Sequence, residues 1–168
     1  KKFREALLAE RLDTAFDLLV EQDEGVAHVL DLSVAYAGRN EIADMTALVA
    51  RAGRECRLPL MVDSTQLDVV EAALKLYGGR MLVNSINFES GEEKAERLVA
   101  LAKQFGAGLV ALTIDETGMA MTADRKVEIA RRLIEFCEQR GLRRGDLLID
   151  ALTFTVCSGD GALRDAAK

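Results

Sequence analysis

The sequence predicts an α/β protein of about five parallel strands with flanking helices. Two observations carry that expectation. Five short apolar runs each close on a polar residue, and longer amphipathic stretches lie between them. The run ends fall roughly 20 to 35 residues apart, about one strand–helix unit each.

The runs are Val29-Leu30-Asp31, Leu60-Met61-Val62-Asp63, Met81-Leu82-Val83-Asn84, Leu109 to Asp115, and Leu147-Leu148-Ile149-Asp150. They are too short for helices and too continuously apolar for half-exposed strands. Strands of a parallel sheet covered on both faces read this way. A first helix, over about residues 3–22, precedes the first strand. Ile42, Met45, Leu48 and Val49 then share one helical face, as do Val69, Val70, Ala73, Leu74 and Tyr77. Ala95, Leu98, Val99, Ala102 and Phe105 make a third stripe, and Val127, Ala130, Leu133, Ile134 and Cys137 a fourth. Gly78-Gly79, Gly106 and Gly141 mark helix ends, where a left-handed residue is often needed. The sole proline, Pro59, opens a strand, a position that tolerates it. The tail from Gly159 to Lys168 reads as a loop entering another helix.

Two architectures fit these elements. An open doubly wound sheet of five strands would be complete in 168 residues. An eight-stranded barrel needs about 250 residues, so this chain would supply only part of one. Periodicity alone does not choose between them.

Composition narrows function more than fold. The chain is 49% hydrophobic and 30% charged, with 22 Lys and Arg against 28 Asp and Glu, a net charge of −6. That balance argues against a nucleic-acid partner, which needs clustered cations. No apolar run approaches the roughly 18 residues that span a membrane. Cys56, Cys137 and Cys157 are odd in number and far apart, which fits neither a metal site nor a disulfide framework and suggests a reducing cytoplasm. Cys137 reads as core, and Cys157 follows an apolar run near a possible site.

In both architectures the ligand sits outside the carboxyl ends of the strands. Here those ends are Asp31, Asp63-Ser64-Thr65, Asn84-Ser85-Ile86-Asn87, Asp115-Glu116 and Asp150. Carboxylates that accept from ring N–H and NH₂ groups, beside amides that offer both edges, suit an aminated heterocycle. A phosphate would want a glycine-rich loop or Lys and Arg at these ends, and neither GxGxxG nor GxxxxGK[ST] is present. Plainer roles exist. Ser64 or Thr65, and Ser90, are in position to cap the helices that follow. The acids could hold a divalent cation, but without a His or paired-carboxylate motif no metal is expected. His28, the only histidine, precedes a strand and reads as structural. Glu89, Glu92, Glu93, Lys94 and Glu96 read as a solvated helical face. Met119 and Met121 fall in a strand-to-helix loop, over a ligand or as an anchor.

Four segments in register carry a family resemblance. They are Leu58 to Thr65, Gly78 to Asn87, Ala111 to Ala120 and Leu148 to Phe154. Together they resemble the pterin-binding domains of cobalamin-dependent methionine synthases, within a wider family of corrinoid methyltransferases and dihydropteroate synthases. The resemblance covers nearly the whole chain. It implies a partial (β/α)8 barrel that binds methyltetrahydrofolate, with Asp63, Asn84 and Asp150 on the pterin edge. Asp31, Asp115, Ser85 and Asn87 would line the same mouth. It implies a cytoplasmic methyltransferase that passes the N5 methyl group to cobalamin on a separate domain or protein, en route to methionine. A dihydropteroate synthase is the weaker match, since its strand ends typically read Asn-Asp where this chain has Asn84-Ser85. A non-catalytic flavodoxin-like binding module is the remaining alternative. Asp150 is followed by Ala151 where many relatives have proline. The family's first strand and last two βα units have no counterpart in residues 1–168. The chain is therefore expected to be an excerpt, inactive by itself.

Overall fold

A computed structural model describes residues 2–153. Phe154, Cys157 and the tail from Gly159 lie outside the described residues. The architecture is α/β, with five parallel strands and flanking helices, as the sequence predicts. The chain divides into two compact units, residues 1–84 with 105–107, and residues 85–104 with those from 108 onward.

The first unit holds α1 (Lys2–Leu8), α2 (Leu12–Asp23), β1 (Leu30–Ser33), α3 (Glu41–Glu55), β2 (Leu60–Asp63), α4 (Leu67–Leu76) and the opening residues of β3 (Leu82–Ile86). β1 pairs in parallel with β2, and β2 with β3. Leu30, Leu32, Leu60, Val62 and Val83 are buried on one face of these strands. Asn40 caps α3, its side-chain oxygen accepting from Ala43 N at 3.1 Å. Asp23 ties α2 to the approach to β2 by accepting from Arg57 N and Leu58 N at 3.0 and 2.8 Å.

The single first helix expected over residues 3–22 is two helices. Glu10 takes a left-handed φ of 57°, and Arg11 N donates back to Ala6 O at 2.9 Å. The cause lies in which residues are buried. α1 buries Ala6 and Leu7, whereas α2 buries Ala15, Phe16 and Leu19. On one straight helix those two sets would point to opposite sides, so the chain must turn between them. Gly78 and Gly79 also differ from expectation, for neither is left-handed. A Cβ on Gly79 would sit 2.9 Å from the Tyr77 ring, so this glycine makes room for the ring that closes α4.

The second unit holds the end of β3, α5 (Glu92–Phe105), β4 (Gly108–Leu112), a short hairpin of β5 (Ile114–Asp115) and β6 (Gly118–Met119), α6 (Ala123–Gln139), a 3-10 turn (Arg144–Asp146) and β7 (Leu147–Asp150). β4 and β7 are parallel, with Leu112 opposite Asp150. Gly106 and Gly141 have φ of 67° and 82°, as helix-ending glycines should.

Three expectations for this unit need correction. The run from Leu109 to Asp115 is not one strand: β4 stops at Leu112, and the chain folds into the hairpin around Glu116 and Thr117. The buried face of α6 is Lys126, Ile129, Leu133, Phe136 and Cys137, about one residue round from the predicted stripe, so Val127 is half exposed. The turn follows Lys126, whose Nζ is drawn inward to the Leu152 carbonyl. Glu92 and Glu96 are not merely solvated, since they pair with Arg132 and Arg140 of α6. Those two arginines lie over Phe88 and Phe136, whose rings meet edge to face at 5.2 Å. Cys137 is core, and burial pushes its thiol up to about 11. No helix among the described residues is long and apolar enough to cross a membrane.

Candidate functional site

Parallel register aligns three polar side chains in the first unit. Ser33 pairs with Asp63, and Asp63 with Asn84. Side chains in register on neighbouring strands share a face, so Ser33 and Asp63, the last residues of β1 and β2, form a row with Asn84. Asn84 does not end its strand as expected, since β3 runs on to Ile86. Asp31 lies two residues before Ser33, on the same face and one layer down, beside Met61. The opposite faces of these strands carry the aliphatic core described above.

The electrostatics of this row are unusual for strand-end acids. Burial pushes the Asp63 carboxyl above the usual range; the Ser33 hydroxyl, donating to it, pulls the other way, and the charge of Glu41 adds to the rise. Asp31 is also raised, first by burial and then by the charge of Asp63. Both are acceptors that the fold leaves underserved. Asn84 gives its main-chain carbonyl to Ser64 N at 3.3 Å and leaves its carboxamide without a hydrogen-bonding partner among the described residues.

Ser64 does not cap α4 as expected. Gln66 holds the cap position without a side-chain bond, and Ser64 Oγ accepts from Gln66 N at 3.1 Å. The same hydroxyl donates to Glu41 at 2.5 Å, and the Gln66 side-chain amide donates to the other Glu41 oxygen. Glu41 thus braces the loop that follows Asp63. Beside it opens a cleft of about 480 Å³ lined by Tyr36, Arg39, Asn40, Glu41 and Gln66 among others.

The second unit places its candidates differently. Asp115 is only 3% exposed and fully engaged. One oxygen accepts from Thr117 Oγ1 at 2.7 Å and Thr117 N at 3.0 Å, and the other accepts from Arg125. Those bonds, the Thr117 hydroxyl foremost, hold its carboxyl below the usual range. Glu116 pairs with Arg132, whose hydrogen bonds hold it down at about 2. Asp150 is exposed; one carboxylate oxygen accepts from Leu152 N at 2.8 Å. Its carbonyl accepts from Thr113 N at 3.2 Å. Asn87 turns its side-chain oxygen back to Glu89 N at 3.0 Å. Ser85 follows Asn84 directly on β3, so the two point to opposite faces of the strand. Met119 and Met121 are about half exposed.

Sequence reasoning passed over Ser33 because it ended the first strand at Asp31. The signal was present: Asp31-Leu32-Ser33-Val34 alternates polar and apolar, which continues the strand. Glu41 was missed because nothing local ties it to residue 64.

The family model for pterin binding enzymes matches residues 1–163. The chain belongs to the pterin binding enzyme family. Among curated relatives within it, the chain is 45% identical over 163 residues to the methionine synthase of Mycobacterium leprae (strain TN), covering 95% of this chain and 14% of that protein. The methionine synthase of Mycobacterium tuberculosis (strain ATCC 25618 / H37Rv) matches with the same identity and coverage. The chain therefore spans about a seventh of the length of these relatives. In structure it resembles 7,8-dihydropteroate synthase from Vibrio fischeri ES114, with a TM-score of 0.65 over 85% of this chain and 57% of that one. At 12% identity that likeness carries the fold, the barrel-like β/α architecture of a pterin binding enzyme, and no activity.

Proposed function

We propose that this chain belongs to the folate-binding barrel domain of a methionine synthase, and that it binds methyltetrahydrofolate for methyl transfer to a corrinoid. The observation that carries the reading is the in-register row Ser33, Asp63, Asn84, found in a chain 45% identical to methionine synthases. A pterin offers an amide N–H and an amino group along one edge. A carboxylate accepts from both, and a carboxamide meets a mixed donor and acceptor edge. Asp63 and Asn84 supply that pair with side chains not consumed by the fold. Asp31 supplies a second acceptor beneath the row. In the second unit, Asp150 is an exposed acceptor at the end of β7, and the same reading takes it as a pterin ligand.

Asp115, Ser85 and Asn87, all in the second unit, have weaker claims as pterin ligands. Asp115 and Asn87 are already occupied by local bonds. Transfer of the N5 methyl group breaks a carbon–nitrogen bond and leaves an electron pair on N5, which a proton or strong hydrogen bond must meet. The residues of this chain bind and orient the ring for that step. Cobalamin, carried on a separate domain or partner, supplies the nucleophile that accepts the methyl group. The setting is cytoplasmic.

Calorimetric titration of the full-length protein with methyltetrahydrofolate tests the reading. Saturable binding is expected, with loss of about 100-fold in affinity for Asp63→Ala or Asn84→Ala at an unchanged circular dichroism spectrum. No binding by the full-length protein sinks the reading.

A further inference from the structure

We infer that Lys126 is a positioning residue for the Asp150 carboxylate; this rests on the reading of Asp150 as a pterin ligand given above. Lys126 is 5% exposed. A lysine seldom gives up water for its side-chain nitrogen, so burial at this depth calls for specific partners. Its Nζ donates to the Leu152 carbonyl at 3.1 Å. Leu152 stands at φ 52°, a left-handed conformation disfavoured for any residue with a branched side chain. From that conformation its own N–H donates to Asp150 Oδ1 at 2.8 Å. The lysine therefore holds the strained residue whose amide holds the carboxylate. On the other side, Thr113, itself buried, donates N–H and hydroxyl to the Asp150 carbonyl at 3.2 and 3.4 Å.

The neighbouring residue on the helix makes the assignment more specific. Arg125 reaches the loop of β5 and bonds one oxygen of Asp115, whose other oxygen is spent on Thr117. Lys126 reaches the loop after β7, whose acid keeps an oxygen unused among the described residues. Two adjacent residues in the first turns of α6, capped by Thr122, thus fix two strand-end loops. Only the lysine fixes one that presents an acceptor outward.

The test is titration of methyltetrahydrofolate into the full-length protein and its Lys126→Met, Asp150→Ala and doubly substituted forms. Each single change is expected to raise Kd about tenfold, and the double no further than Asp150→Ala alone. A structural role alone would instead lower thermal stability and leave Kd unchanged. A silent K126M beside a weakened D150A overturns the inference alone. A silent D150A overturns the reading of Asp150, and the inference with it. Full multiplication of the two effects in the double variant also overturns the inference. Leu152→Pro probes the same chain without touching the buried lysine. Proline cannot hold the left-handed φ and has no N–H to donate to Asp150, so Kd is expected to rise about tenfold. An unchanged Kd in L152P overturns the inference even where K126M fails to fold.

Discussion

Asp63 and Asp115 both follow apolar runs near strand ends, one in each unit, yet the fold treats them in opposite ways. Asp63 is partly buried with too few donors, and its carboxyl is pushed up. Asp115 is more deeply buried, but Thr117 and Arg125 saturate it, and its carboxyl is held down. Burial alone therefore does not make a strand-end acid a binding group. What separates the two is whether the fold has already supplied the donors. An acid left short of donors is costly in the free protein and pays that back when a ligand brings its own N–H groups.

The largest expected effect breaks the comparison by substitution with asparagine. Asp63→Asn should abolish most methyltetrahydrofolate binding, about 100-fold in Kd, because it turns one of two acceptor oxygens into an NH₂ donor that faces a donor of the ring. The same change should leave the free protein as stable or more so, by about 1 kcal/mol at neutral pH, since it removes a charge that burial disfavours. Asp115→Asn should do the reverse. It loses charged hydrogen bonds within its loop and should destabilise the fold by about 2 kcal/mol, with only an indirect effect on binding. Urea unfolding of the full-length protein beside calorimetry separates the two. Equal destabilisation by both variants would erase the distinction.

Acid should sharpen the same contrast. A carboxyl with a raised folded-state value takes up its proton more readily folded than unfolded, so its charge costs stability at neutral pH. That cost disappears as pH falls through the window from the raised value down to the ordinary one of about 3.9. The stability difference between wild type and Asp63→Asn should therefore shrink on acidification, while wild-type binding weakens as Asp63 is protonated. Asp115 and Glu116 run the other way. Their values are lowered, so their stabilisation is present above the ordinary carboxylate range and is lost only as pH falls further, for Glu116 towards about 2. Denaturation and binding measured between pH 3 and 8, on the order of the range that carboxylates titrate, should show binding fail first. Loss of the fold at a higher pH than loss of binding would contradict the assignment.

Much of this was legible in the sequence, and what was not has identifiable causes. Asp63 and Asp150 close β2 and β7 as expected, because an uninterrupted apolar run ending in an acid is a strong local signal. The helix stripes at Val69 to Leu74 and Ala95 to Ala102 are buried as predicted. The break at Glu10 was missed because no glycine or proline marks it; the information lies in two apolar sets whose phases disagree, which a search for one long stripe conceals. The rotation of α6 was missed because a buried lysine inverts the usual rule that charge faces water. The saturation of Asp115 depends on Arg125 folding back from α6, a tertiary contact that spacing does not encode.

The smallest expected effect concerns Ser33, the residue that sequence reasoning left out of the row. Its hydroxyl donates to Asp63 and is the group that pulls the carboxyl back towards its usual range. Ser33→Ala removes a donor from an acid already short of them. The Asp63 carboxyl should then rise further, and the acid limb of the binding profile should move to higher pH. At neutral pH affinity should fall only about threefold, the scale of one modest hydrogen bond. Ser33→Thr keeps the hydroxyl, and β-branching suits a strand, so it should restore the wild-type profile. A threefold loss at every pH with no shift of the acid limb would mean that Ser33 touches the ligand itself and belongs beside Asp63 in the comparison. A shift that Thr reverses would mean that it acts through Asp63, and that the fold supplies this acid with one donor and leaves the rest to the pterin.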